Sequence, residues 1–248
     1  MAAKEYDIEE SHTLNRGRLP RKGCYMKKKF ITSAVCFGLF LLLILLVKVV
    51  DVAPVASVEG TEIGLSKLNF AIHDMFGEHL GWYKLTNILG YLAILIALGF
   101  AAIGGLQLIY RRSILKVDKE ILLLGCLYIV TVVLYIFFEK VIVNYRPLLL
   151  PGGEGPEASF PSSHTMLSCV ILGSGLGLIK KYVRKNKNLQ LVLTVVFAVM
   201  LALIVAGRLL SGVHWFTDIL GGLLLSAALL NAYEGLLKLW KQSERGRK

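Results

Sequence analysis

Apolar residues fall in six runs divided by polar stretches, and this alternation sets the expected architecture. The first run, residues 30–50, follows Lys27, Lys28 and Lys29. Its length suits the ~30 Å hydrocarbon core of a bilayer. It also exceeds the ~7–15 residues of a secretory-signal core, so an uncleaved anchor is expected. Further runs at 85–110, 121–138, 164–179, 189–206 and 216–237 complete six expected spans. The fourth is short and contains glycine, so protein rather than lipid should surround it. Gly90, Gly99, Gly104 and Gly105 in the second predict close helix approach. Between the first two runs, Leu65, Leu68, Ile72, Met75, Phe76 and Leu80 recur at helical spacing. They predict a short amphipathic helix on the membrane surface, anchored by Trp82 and Tyr83. The fold class is therefore all-α: a polytopic membrane helix bundle with six transmembrane spans and a short extracytoplasmic amphipathic helix. Basic cytoplasmic tails, 1–29 and 241–248, flank a six-span domain at 30–240. A loop at 139–161 carries the Gly/Pro-rich stretch 151–156.

Composition supports the pattern. Of the 248 residues, 55% are hydrophobic and 18% charged, with mean hydropathy +0.63, which is too apolar for a soluble domain. The net charge of +11 would point to nucleic acid in a soluble protein. Here topology accounts for it. With the N-terminus inside, 22 of the 28 Lys and Arg fall on cytoplasmic segments, leaving Lys48, Lys67, Lys84, Lys140, Arg146 and Arg208 at the outer side. The bilayer is the expected partner and nucleic acid is not; oligomeric state is left open. Cys24, Cys36, Cys126 and Cys169 form no metal or disulfide pattern. His73 and His79, isolated in the first outer loop, are read as surface or packing residues.

The chemistry lies at the outer ends of spans three to six, where Arg146, Ser162, Ser163, His164, Arg208, His214 and Asp218 collect. Ionisable residues at such depths are costly and usually mark a pathway or a site. Pro161-Ser162-Ser163 precedes an apolar run, which predicts a helix N-terminus whose free N–H groups favour an anion. Two arginines can clamp a phosphate through bidentate hydrogen bonds. His214 and Asp218, four apart, share a face if the last helix begins near His214. Asp218 would then accept the Nδ1–H and leave Nε2 as a nucleophile, with His164 as proton donor and later base. Each residue alone has an ordinary structural use. Their coincidence in three segments on one face is what argues for phosphoryl transfer without a metal or other cofactor.

At these positions the chain resembles the type 2 phosphatidic acid phosphatase family, membrane lipid phosphatases related to vanadium haloperoxidases. The family motifs are Lys-x6-Arg-Pro, Pro-Ser-Gly-His and Ser-Arg-x5-His-x3-Asp. They are matched through Arg146-Pro147, Pro161-Ser162-Ser163-His164 and Gly207-Arg208-x5-His214-x3-Asp218. The resemblance implies His214 as the nucleophile forming a phosphohistidine, oriented by Asp218, with His164 as acid and base. Arg146, Arg208, Ser162, Ser163 and backbone N–H groups would hold the phosphate, and no metal would be required. The implied substrate is a lipid phosphate or diphosphate of the undecaprenyl diphosphate, phosphatidylglycerophosphate or phosphatidic acid type. A phosphotransferase or a non-catalytic lipid-phosphate binder or transporter are the alternatives. Gly207 stands for the motif serine and Ser163 for the glycine. The motif lysine falls on Glu139, with Lys140 one residue late; Lys140 is expected to join the phosphate site from a shifted backbone.

Overall fold

The computed structural model describes residues 21–150 and 155–245. The first twenty residues of the expected N-terminal tail, residues 151–154 of the Gly/Pro-rich loop and the last three residues of the C-terminal tail lie outside them. The elements in chain order are α1 (Arg21–Val49), β1 (Ala53–Pro54), β2 (Glu62–Ile63), α2 (Ser66–Phe76), α3 (Leu80–Arg111), α4 (Lys119–Lys140), α5 (Ser163–Tyr182), α6 (Lys187–Leu210) and α7 (Phe216–Arg245). A short 3-10 turn, Ile114–Lys116, joins α3 to α4. Among the described residues the architecture is all-helical apart from the hairpin β1–β2, two residues per strand.

Five helices, α1, α3, α4, α6 and α7, are long and apolar enough to cross a membrane. Their outward faces carry exposed side chains such as Leu95, Ile129, Val133 and Leu191, which lipid can cover and water cannot. The chain is a multi-pass membrane protein. Several helices outrun their apolar segments: α1 starts at Arg21, α3 at Leu80, and α7 continues to Arg245. Hydropathy marks the stretch that meets lipid, whereas the hydrogen-bond ladder continues beyond it.

Helix α5 is enclosed by α3, α4, α6 and α7. Its Ser168, Cys169, Val170, Leu172 and Ser174 are buried. Glycines permit the fit: a Cβ at Gly173 would come within 2.7 Å of Leu230, and one at Gly175 within 2.6 Å of Phe197. Small residues and serines lower the hydropathy of α5 because its neighbours are protein. Helix α1 lies along α7, where Ser33 Oγ donates to Ala228 O at 2.8 Å and Lys29 pairs with Glu234 at 3.0 Å.

Helix α2 is docked rather than free on a surface. Asn69, fully buried, accepts from Thr217 N at 3.2 Å and donates to Gly64 O at 3.0 Å. Phe70 and His73 pack on Trp215, with ring centroids 5.6 and 5.5 Å away. The periodicity showed the helix but not this polar anchor to the start of α7.

At the opposite end of the bundle Lys181 bridges Asp118 at 2.8 Å and Glu120 at 2.7 Å, and Arg111 reaches Asp118 at 2.9 Å. Burial opposes ionisation of Asp118, but hydrogen bonds from Lys181, Arg111 and Tyr182 win and hold its carboxyl well below the usual range. This network ties the α3–α4 turn to the end of α5. The free cysteines among the described residues are Cys36, Cys126 and Cys169.

Candidate active site

The loop between α4 and α5 folds back on itself. Tyr145 bridges Ala158, Arg146 N donates to Glu157 O at 3.0 Å, and Ser159 N donates to Asn144 O at 3.0 Å. This pairing places Asn144, Arg146 and Ser159 side by side over the start of α7. Trp215 Nε1 fastens the loop from the other side by donating to Tyr145 O at 2.8 Å. The chain then enters α5 with Ser162 at the N-cap position, where sequence placed the helix start. Ser162 N donates to Asp218 O at 2.9 Å. Close seating here depends on α7: a Cβ at Gly221 would meet the Phe160 ring at 2.6 Å, and one at Gly222 would meet Ser162 O at 3.0 Å.

His214 precedes α7 in the loop from α6, since the helix begins at Phe216. The two members of the pair therefore do not share a helix face, and His214 Nδ1 lies 3.6 Å from Asp218 Oδ2. Ser159 Oγ stands between them, 3.1 Å from Nδ1 and hydrogen-bonded to Oδ2. Asp218 also accepts from Asn144 Nδ2 at 2.9 Å and Trp215 N at 2.8 Å. On the other edge of the imidazole, Arg146 Nη1 is 3.4 Å from Nε2. A guanidinium only donates, so this contact favours the tautomer that leaves Nε2 without a proton. Arg146 also pairs through Nε with Glu157 at 3.1 Å.

Arg208 is fully buried near the end of α6. Its Nη2 donates to Asn87 Oδ1 at 2.5 Å, and its guanidinium lies 5.2 Å from the Tyr83 ring centre. Nε and Nη1 have no partner among the described residues. A buried cation with two unmatched donors is costly, and a phosphate would satisfy both. The positive charges of Arg208 and Arg146 both act on His164. The His164 ring rests on Gly90 of α3, where a Cβ would stand 2.9 Å from Cδ2. Gly90→Val is therefore expected to displace His164 and lower turnover about 10- to 100-fold, while Gly99→Val, where a Cβ meets open space, leaves it unchanged. Equal activity of the two variants would remove the positional role of Gly90.

The structure thus gathers Arg146, Ser162, His164, Arg208, His214 and Asp218 at one end of the bundle. Ser163 opens α5 and lines a narrow crevice with His214, Ser159 and Glu139. Lys140 is the exception: it is exposed and has no hydrogen bond or ion pair among the described residues. Helix α4 runs unbroken to Lys140, and adjacent helical residues point about 100° apart. Glu139 faces the crevice and its neighbour does not. Asn87, Asn144, Ser159 and Glu157 had no role from sequence, and Tyr83 only that of an interfacial anchor. Ser159 stood in the same Ser-Phe-Pro-Ser-Ser-His stretch as the helix start, but nothing in its spacing indicated the histidine. A larger recess of about 750 Å³ lies over the hairpin and residues 142–145, separate from the histidines. Among the described residues no three His, Cys, Asp or Glu side chains are grouped to hold a metal.

Residues 122–240 match the model of the PAP2 superfamily, a segment that contains all of these residues except the α3 contributors.

By that segment the chain is similar to the PAP2 superfamily.

The fold agrees. A crystal structure of a transmembrane PAP2 type phosphatidylglycerolphosphate phosphatase from Bacillus subtilis superposes with a TM-score of 0.59 at 18% identity, covering 83% of this chain and 95% of the other. No curated protein matches the sequence. Gly207 has a local cause: a Cβ there would lie 2.5 Å from Thr86 Cγ2 and 3.1 Å from Trp82. Close packing of α6 on α3 excludes the motif serine unless α3 moves.

Proposed function

We propose that this protein is a PAP2-type integral membrane lipid phosphatase that works through a phosphohistidine without a metal. The observation that carries the reading is the approach of His214 Nε2 to Arg146 at 3.4 Å, in a site where Nε and Nη1 of Arg208 have no partner among the described residues. Phosphate oxygens bridge the two arginines, and Nε2 attacks phosphorus in line with the leaving oxygen. His164 gives that oxygen its proton as the P–O bond breaks. It then takes a proton from water, whose oxygen displaces His214 from phosphorus and releases inorganic phosphate. The arginines stabilise the charge that develops on the transferring group. Ser162, Ser163 and the N–H groups opening α5 complete the anion site. Lys140 is left out of it.

In the full reading α5 is a sixth, protein-enclosed span, both termini are cytoplasmic, and the site with helix α2 is extracytoplasmic. The distribution of Lys and Arg supports that orientation. The substrate is a phosphate monoester or diphosphate whose apolar tail stays in lipid while its head reaches the arginines. Undecaprenyl diphosphate, phosphatidylglycerophosphate and phosphatidic acid all have this form. The test offers purified protein each of the three in detergent with a chelator and scores released phosphate. Release from at least one, blocked by vanadate as a phosphate mimic, is expected. Release from none, or release that requires added magnesium, would overturn the reading.

A further inference from the structure

The polarity of hydrogen bonds around His214 is fixed at both ends. Arg146 can only donate and faces Nε2; the carboxylate of Asp218 can only accept. The aspartate does not reach the ring itself, since 3.6 Å separates Nδ1 from Oδ2. The group that spans the gap is the hydroxyl of Ser159, bonded to both and 3% exposed. A hydroxyl can accept from one neighbour while donating to the other, which a carboxylate or guanidinium cannot do. Only one assignment satisfies all four groups. Arg146 donates to Nε2, Nδ1–H donates to Ser159 Oγ, and Ser159 O–H donates to Asp218. The acceptor is held in turn by Asn144 and Trp215 N, so Asp218 has no freedom to swing toward the ring.

Building on the proposed phosphatase chemistry, we infer that Ser159 is a positioning residue that relays the orientation and charge of Asp218 to His214 and keeps its nucleophilic Nε2 unprotonated. Ser159 touches neither phosphorus nor the leaving group; it acts through the imidazole. It is anchored for this task by backbone as well as side chain. Its N–H donates to Asn144 O, and Asn144 also bonds the carboxylate, so loop and aspartate are set by the same two residues. When Nε2 bonds phosphorus, the ring becomes cationic. The chain Nδ1–H to Ser159 to Asp218 then stabilises that charge without moving a proton onto the aspartate.

The test combines histidine NMR with kinetics. Isotope-labelled wild-type protein, with His214 assigned through His214→Gln, is expected to show neutral His214 protonated at Nδ1. An Nε2-protonated ring would overturn the inference, and this measurement stands even if a Ser159 variant does not fold. In Ser159→Ala the Nδ1–H form is expected to give way to a tautomer mixture. Its kcat should fall about 10- to 100-fold with KM changed less than about threefold, as for other groups that orient a reacting histidine. Adding Ser159→Ala to Asp218→Asn should cost little more, because both act on one link. Wild-type kcat with an undisturbed tautomer in Ser159→Ala, or fully additive losses, would overturn the relay. A wild-type protein that hydrolyses no lipid phosphate overturns the phosphatase reading instead, and the tautomer alone then decides the role of Ser159.

Discussion

Replacing His214 with Ala is expected to leave less than about a thousandth of wild-type phosphate release, the loss seen when a covalent nucleophile is removed from a preorganised site. The arginines would still bind the substrate head, so KM should change little. The imidazole is buried against Arg146 and Ser159, and its loss deprives each of one partner, worth about 1 kcal/mol apiece. The variant should therefore fold and unfold cooperatively, and a thermal melt beside the assay separates catalysis from folding. Phosphate release within tenfold of wild type, from protein that melts normally, would remove His214 as nucleophile.

A second large effect is expected at Arg208, with activity and stability moving in opposite directions. This guanidinium is fully buried, with a hydrogen bond to Asn87 and the Tyr83 ring below it. Nε and Nη1 have no partner among the described residues. An uncompensated buried cation is destabilising, and an apolar side chain of similar volume removes the cost. Arg208→Met should keep or raise the melting temperature of the substrate-free protein. It should also lower kcat/KM about 100- to 1000-fold, since a charge-stabilising donor is lost where the phosphoryl group transfers. Arg208→Lys keeps the charge without the fork and should fall between the two. A variant that both melts several degrees lower and keeps turnover would show Arg208 to be structural.

The apolar runs were readable because lipid demands them, and the start of α5 because Pro-Ser-Ser before such a run has few other uses. Arg146, His164, Arg208, His214 and Asp218 were readable through chemistry that is expensive at helix ends in a membrane. What escaped was contact between segments distant in the chain. The spacing of His214 and Asp218 suggested a direct helical pair, yet α7 starts two residues after the histidine and the carboxylate meets Ser159 instead. The reach from Arg208 to Asn87, across 121 positions of sequence, left no periodic trace. Glu139 and Lys140 differ by one residue, and only an unbroken α4 shows which faces the crevice. That Gly207 stands for the motif serine had no cause in sequence; the approach of α3 to α6 supplies one.

The packing of α1 on α7 bears on how the bundle is made. Synthesis delivers α1 first and α7 last, yet each is the main neighbour of the other. Until the final helix arrives, Ser33 lacks its carbonyl and Lys29 its carboxylate. Lipid offers α1 no stronger apolar attraction than a helix does, so the first helix must wait in the bilayer. The last helix also brings Asp218 and seats Phe160 and Ser162 on Gly221 and Gly222. Closing the ring of helices and completing the candidate site are thus one assembly event, since both wait on α7.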